Sequence, residues 1–340
     1  MAGFDGTADD RAFTYHGGAL EVARRLAPQA PEPWIDLSTG VNPHAYPLPD
    51  LEPEAWSRLP ETDALAKLEA AAARRYGVAT ASVIAGPGSQ ALIHTLAHIL
   101  ARGTVSALGP TYNGFAAAFA AKGAPVADAR RLEDLSAVDV AIVVNPNNPD
   151  GRIVPRHALL ALHERLAARG GVLIVDEAFA DFEPFAFELT RGLSPASGAV
   201  VLRSFGKAYG LAGLRLGFAL ASSDMVPSLR EALGSWPVSG PAIAIGIRAL
   251  ADSEWLEATG ARLGREAVRL DALLEGAGWR IIGGTRLFRL AAHGDARGVF
   301  ARLLAAGILA RPFAEAPDRL RFGIPGDDNA WERLAAALRS

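Results

Sequence analysis

The chain has 340 residues, enough for two domains with substantial cores. Its net charge of −3 argues against a surface built for nucleic acid or anionic lipid, and the absence of cysteine excludes a disulfide framework, a thiolate nucleophile and a cysteine-bound metal. No run approaches ~18 uninterrupted apolar residues, so no membrane span is expected. The acidic opening Met-Ala-Gly-Phe-Asp lacks an apolar core, so it is not a signal peptide, and the chain reads as cytoplasmic.

Residues 1–50 carry prolines at 28, 31, 33, 43, 47 and 49 and read as an extended arm rather than packed helix or strand. Leu65, Leu68, Ala72 and Tyr76 recur at helical spacing and predict an amphipathic helix over 61–76. Ser82-Val-Ile-Ala then leads into Gly86-Pro-Gly-Ser-Gln90 and a helical run through Leu100. Four short apolar runs follow, each ending in polar or turn residues: Val105–Leu108, Val138–Val144, Gly171–Val175 and Ala199–Leu202. Helical patterns such as Phe115–Lys122 and His157–Arg169 separate most of them. Short buried strands alternating with helices indicate a mainly parallel sheet covered on both faces. From about Pro241 the pattern changes to a long helix (241–276), strand-like pieces at 279–282 and 287–291, a helix at 295–306, strands near 308–311 and 320–322, and a last helix at 328–339. The expected organisation is an arm (1–50), a large domain (51–240) and a small α+β domain (241–340).

Lys207 stands out. Of 34 lysines plus arginines, three are lysine (Lys67, Lys122 and Lys207) and 31 are arginine. Lys207 lies in the nearly uncharged segment Ser204-Phe-Gly-Lys-Ala-Tyr-Gly-Leu-Ala-Gly-Leu-Arg215. Arginine replaces lysine as a surface cation but forms no Schiff base, since it stays protonated; a desolvated lysine amine can attack a carbonyl. A random lysine at such a loop-to-helix junction faces water. Here Ser204 and Arg215 bracket it and can hold a phosphate dianion, and glycines at 206, 210, 213 and 217 allow close backbone approach.

Other candidates sit just after strand ends, where open α/β sheets bind ligands. Gly88, Ser89 and Gln90 open a helix whose N–H groups suit an anion, although a plain βα turn looks the same. Asn148, in Asn145-Pro-Asn-Asn-Pro-Asp-Gly151, offers an amide; loop punctuation is the competing reading. Asp176 ends the run Val172-Leu-Ile-Val-Asp and can pair with a protonated pyridine nitrogen. The same Asp176-Glu177 pair also fits a magnesium-binding strand end of a nucleotide enzyme, but that needs Gly-x4-Gly-Lys-Ser/Thr, and the one Gly-Lys pair, Gly206-Lys207, is followed by alanine. Tyr112 offers either a ring to stack on a ligand or a packed loop aromatic. Arg311 and Arg321 each follow an apolar run, and paired guanidinium forks suit carboxylate or phosphate, though arginine is common in this chain. His16 and the Gly40-Val-Asn42 loop lie in the arm, where a lone histidine or a small-residue turn is usually structural. No metal site is expected.

Taken together, these motifs resemble the fold-type I pyridoxal-phosphate (PLP) enzymes, in their histidinol-phosphate-aminotransferase-like branch, over nearly the whole chain and in the family's order. The resemblance implies that Lys207 forms the covalent link to the cofactor. Asp176 would meet its ring nitrogen, Asn148 its phenolic oxygen and Tyr112 its ring face. Ser204, Arg215 and Gly88-Ser89-Gln90 would hold its phosphate, and Arg321 would meet the substrate carboxylate in a transaminase of this type. Two motifs depart from the transaminase pattern: Asp-Glu-Ala-Tyr is Asp176-Glu-Ala-Phe179, and Arg-Tyr-Pro is Arg58-Leu59-Pro60. The arm motifs His16-Gly-Gly and Trp34-Ile-Asp-Leu-Ser-Thr-Gly-Val-Asn-Pro43, with Ala55-Trp-Ser-Arg-Leu-Pro60 and Gly109-Pro-Thr-Tyr112, look like the threonine-phosphate decarboxylases of cobalamin biosynthesis. That family implies decarboxylation of L-threonine O-3-phosphate and a homodimer. Because the carboxylate must be free to leave, His16, Arg311 and Arg321 are expected on the substrate phosphate, with the carboxylate near the Gly40-Val-Asn42 loop. A histidinol-phosphate or aromatic aminotransferase stays open as the alternative, as does a non-catalytic partner in corrinoid assembly that keeps the fold.

Overall fold

A computed structural model describes residue 13, residues 17–183 and residues 198–339. The N-terminal segment departs from the expected extended arm. Leu20–Leu26 is helical with Ala23 buried, and strand β1 (Ile35–Asp36) pairs in parallel with a C-terminal strand. The prolines flank these pieces rather than interrupt them, which leaves proline-free stretches long enough for two helical turns and a short strand. The chain forms two compact units. One comprises Ala45–Asn148 and Arg152–Glu257; the other takes the residues up to His44, Pro149–Gly151 and those from Ala258 onward.

The first unit is built on a seven-stranded sheet of β2 (Val83–Gly86), β3 (Val105–Leu108), β4 (Val126–Ala129), β5 (Val140–Val144), β6 (Val172–Asp176), β7 (Ala199–Ser204) and β8 (Gly217–Ala221). The spatial order is β2-β8-β7-β6-β5-β3-β4, and only β8 runs antiparallel to its neighbours. The central strands β5 and β7 are buried at every position, as strands covered by helices on both faces must be. Leu92, Ile93 and Leu96 of helix Ser89–Leu100 and Phe115 and Phe119 of helix Gly114–Ala120 pack with Ile142, Ile174, Val200 and Leu202 in one core. Two strands are not evident as apolar runs. In β4 three of four residues are not fully buried, as befits a sheet edge, and β8 begins at Gly217, directly after the glycine-rich lysine segment.

The expected helix over 241–276 is two helices, Gly240–Ala251 and Ser253–Gly276. Asp252 leaves helical geometry (ψ 77°), and its carboxylate accepts from Trp255 N at 3.0 Å, the behaviour of an N-cap.

In the second unit β9 (Arg280–Thr285), β10 (Phe288–Ala292), β12 (Arg311–Pro312) and β13 (Arg319–Gly323) form an antiparallel sheet ordered β12-β13-β10-β9, and β11 (Ile308–Leu309) pairs with β1. Leu37 N donates to Leu309 O (2.8 Å) and Gly323 N donates to Leu37 O (2.6 Å), so the arm is stitched into this unit by backbone bonds. Among the described residues no helix is long and apolar enough to cross a membrane.

Candidate active site

Strands β3, β5, β6 and β7 point their C-terminal ends to one edge of the sheet, and β2, antiparallel to β8, ends there too. The turn after β2, the 109–112 and 145–148 loops, Asp176 and the Ser204–Lys207 segment therefore share an edge.

The turn after β2 forms an anion cradle. Gly88 has φ +89°, and a Cβ there would lie 2.8 Å from Nη2 of Arg215. A Cβ on Gly217 would lie 2.5 Å from Ser89 N. Only glycine fits at either place, so the guanidinium and the start of β8 press directly on the turn. Gly88 is the N-cap of helix Ser89–Leu100 and supplies no side-chain cap, which leaves first-turn N–H groups for an anion. Arg215 itself sits at φ 54°, a left-handed backbone that costs a residue with a Cβ roughly 1 kcal/mol or more and is typical of functional positions. Ser204 is buried and pairs with Gly217 across β7 and β8. Tyr112 donates its hydroxyl to Oε1 of Gln90 at 2.8 Å, which fixes the ring beside the cradle. The structure thus brings Gly88, Ser89, Gln90, Tyr112, Ser204 and Arg215 together.

Lys207 lies on the short helix Phe205–Ala208, with Nζ 5.4 Å from the ring centre of Phe179. Asp176, only 3% exposed at the end of β6, accepts from Ala178 N at 3.0 Å. Burial pushes its carboxyl up to about 6, against the pull of that hydrogen bond and of the Lys207 charge. A buried carboxylate beside an amine is poised to take a cationic partner. Of the three asparagines after β5, two have structural tasks. Asn145 accepts from Val154 N (2.8 Å) and donates to Val154 O (3.3 Å), while Asn147 accepts from Thr111 Oγ1 (2.6 Å) and donates to Pro110 O (3.0 Å). Asn148 is half-buried at the end of the same loop.

In the second unit Arg311 and Arg321 are partners across β12 and β13, both buried. Arg321 Nη2 donates to Ser38 O at 2.7 Å. Burial, and then the neighbouring Arg311, lower its pKa to about 9, with Asp36 opposing. Two like charges side by side favour an anionic neighbour, and Asp36 already acts in that sense on Arg321. The loop after Ser38 turns through Gly40 (φ +63°) and Asn42, whose buried side chain accepts from His44 N at 2.9 Å. His16 lies outside the described residues; nearby, Gly18 N donates to Ser38 Oγ at 2.8 Å.

Sequence reasoning overlooked one polar group. Arg203, fully buried, donates to Glu177 at 2.6 Å and to Asp181 at 2.9 Å. The available signal was an arginine closing the apolar run Ala-Val-Val-Leu, since a buried guanidinium needs carboxylate partners.

The donor set suits PLP: a cradle for a phosphate, an amine for an aldehyde, a buried carboxylate for a ring nitrogen and an amide for a phenolic oxygen. The comparisons agree. The pattern of the family described as aminotransferase class I and II matches residues 32–338. The threonine-phosphate decarboxylase of Pseudomonas aeruginosa is 42% identical over 95% of this chain and 96% of its own, and that of a Sinorhizobium species is 41% identical over 95% and 97%. The crystal structure of histidinol-phosphate aminotransferase from Sinorhizobium meliloti in complex with pyridoxal-5'-phosphate superposes with a TM-score of 0.80 at 22% identity, covering 94% of this chain and 93% of that one.

Proposed function

We infer the reaction from kinship: the chain belongs to the aminotransferase class I and II family and, within it, to the threonine-phosphate decarboxylases. Its cofactor is pyridoxal 5'-phosphate. We propose that it converts L-threonine O-3-phosphate to (R)-1-amino-2-propanol O-2-phosphate and CO2 in cobalamin biosynthesis, as a cytoplasmic homodimer. The observation that carries this reading is the near-full-length similarity to two decarboxylases of that name. The buried phenylalanine at 179 supports it, because no hydroxyl stands there to meet a phenolic oxygen.

When bound, the cofactor supplies an electron sink for the pair left at Cα by a broken bond. The residues of the chain do the rest. Ser89, Ser204, Arg215 and the open N–H groups of the cradle hold the cofactor phosphate. Asp176 keeps the ring nitrogen protonated, and Asn148 donates to the phenolic oxygen. Lys207 delivers a proton to Cα once CO2 has left. Decarboxylation and transamination differ in which Cα bond stands perpendicular to the ring, so specificity lies in how the substrate's two anions are held. Arg311 and Arg321, with His16, take the phosphate, and the Gly40–Asn42 loop receives the carboxylate. An arginine that held the carboxylate instead would stabilise the group that must leave.

CO2 release from threonine O-3-phosphate with no 2-oxo acid present tests the reaction. For the phosphate site, Arg311→Ala and Arg321→Ala are each expected to raise KM for the phosphorylated substrate roughly 10- to 100-fold, the loss of about 1.5–3 kcal/mol from a charge-assisted hydrogen bond. KM for free threonine should change little. An unchanged KM for the phosphorylated substrate in both variants would remove the arginines from this role.

A further inference from the structure

Arg203 joins the two strand ends on which the cofactor chemistry depends. It lies on β7 directly before Ser204 and four residues from Lys207. Its partners lie on the segment that leaves β6: Glu177 follows Asp176, and Asp181 is five residues beyond Asp176. The guanidinium uses both terminal nitrogens, Nη1 to Glu177 Oε2 at 2.6 Å and Nη2 to Asp181 Oδ1 at 2.9 Å, with the face of Tyr76 at 4.8 Å. None of its surface reaches solvent. The backbone repeats the link, since Asp176 pairs with Leu202 across β6 and β7 and Glu177 N donates to Leu202 O at 2.9 Å. Neighbouring residues of a strand project to opposite sides, so Arg203 and Glu177 meet behind the sheet edge while Ser204 and Asp176 turn the other way.

A buried ion triad is a poor source of net stability, because desolvating three charges offsets most of their attraction. Apolar residues of similar volume hold strands together at least as well. What the triad adds is direction: a planar fork bonded at both ends fixes two segments in one register. We propose that Arg203, with Glu177 and Asp181, is a positioning device that holds Asp176 and Lys207 at their working separation for the cofactor. The triad also carries a net negative charge beside Asp176. Glu177 pushes the Asp176 carboxyl up and Arg203 pulls it down. Tyr76, Tyr209 and Arg75 complete the charged and titratable surroundings.

The inference rests on the reading that Asp176 meets the ring nitrogen, and it holds whichever Cα bond the enzyme breaks. Arg203→Met strands two carboxylates in the interior and is expected to unfold the protein, so the informative variants are Glu177→Gln, Asp181→Asn and Arg203→Lys. Each is folded, loaded with PLP and assayed by cofactor titration and by the pH midpoint of the bound cofactor's visible absorbance, with Asp176→Asn alongside. Glu177→Gln and Arg203→Lys are expected to weaken cofactor binding about tenfold, the usual size for losing a partner that orients a ligating group. Glu177→Gln and Asp181→Asn should also lower the absorbance midpoint, because each removes a negative charge. Triad variants that melt earlier but keep the wild-type affinity and midpoint, beside an Asp176→Asn that loses both, would make the triad a structural feature and overturn the proposal alone. An Asp176→Asn with wild-type affinity and midpoint would overturn the Asp176 reading and this inference together.

Discussion

Lys207→Ala is expected to abolish turnover, by roughly 10⁴-fold or more, because the proposed reading gives one amine the roles of both nucleophile and proton donor. Lys67 and Lys122 are the other two lysines of the chain, and both are exposed, one on a helix and one in a turn. Arginine cannot stand in, since it does not lose its proton. The measurement that checks this is intact-protein mass after borohydride reduction of the cofactor-loaded enzyme. Wild type should gain the mass of one reduced cofactor and the variant none. Because the cradle of Gly88, Ser89, Ser204 and Arg215 is untouched, the variant should still bind the cofactor non-covalently. A variant that keeps both turnover and the mass gain would move the chemistry to another lysine.

Asp176→Asn carries the second large effect. On the proposed reading the buried carboxylate stabilises a positive charge on the ring nitrogen, and loss of such a group costs about 10²- to 10³-fold in kcat. The same substitution gives a pH signature in the cofactor-free protein. Burial raises the Asp176 carboxyl to about 6, above the ordinary value near 4. The folded chain therefore binds this proton more tightly than the unfolded chain does. The stability linked to it is fully present below about pH 4 and is lost as pH rises through about 6, by up to about 3 kcal/mol. Between pH 4 and pH 7 cofactor-free wild type should lose that much relative to Asp176→Asn in denaturant melts, and the cofactor, by placing a cation against the carboxylate, should remove the difference. Parallel pH curves for the two proteins would contradict the assignment.

The residues gathered at the candidate site are legible because they are chemically out of place in the chain. A lysine kept among arginines, an aspartate closing an apolar strand and a Gly-Pro-Gly-Ser turn opening a helix each stand against a plain background. Strands β3, β5, β6 and β7 were legible for a related reason, since burial on both faces leaves unbroken apolar runs. Less was visible where neighbours rather than local pattern decide. Strand β4 is largely exposed because it closes the sheet, and β8 begins at a glycine that serves the cradle. Strand β1 is only two residues long and exists because Ile308–Leu309 offers it an edge. The break at Asp252 was written as an N-cap but lay inside an otherwise continuous helical pattern. The roles of three asparagines close in sequence separate only once Asn145 and Asn147 are seen bonded to their own loop. Arg203 shows the limit most clearly: its partners are 22 and 26 residues away along the chain, and no spacing rule joins them.

The measurement that bears most directly on the reaction is a mass spectrum of the product formed in heavy water from L-threonine O-3-phosphate and PLP, with no 2-oxo acid present. Decarboxylation predicts 1-amino-2-propanol O-2-phosphate carrying one carbon-bound deuterium at the former Cα, formed by wild type and not by Lys207→Ala. An absence of this product, together with glutamate formed from 2-oxoglutarate and an amino donor such as histidinol phosphate, would make the enzyme an aminotransferase and contradict the account.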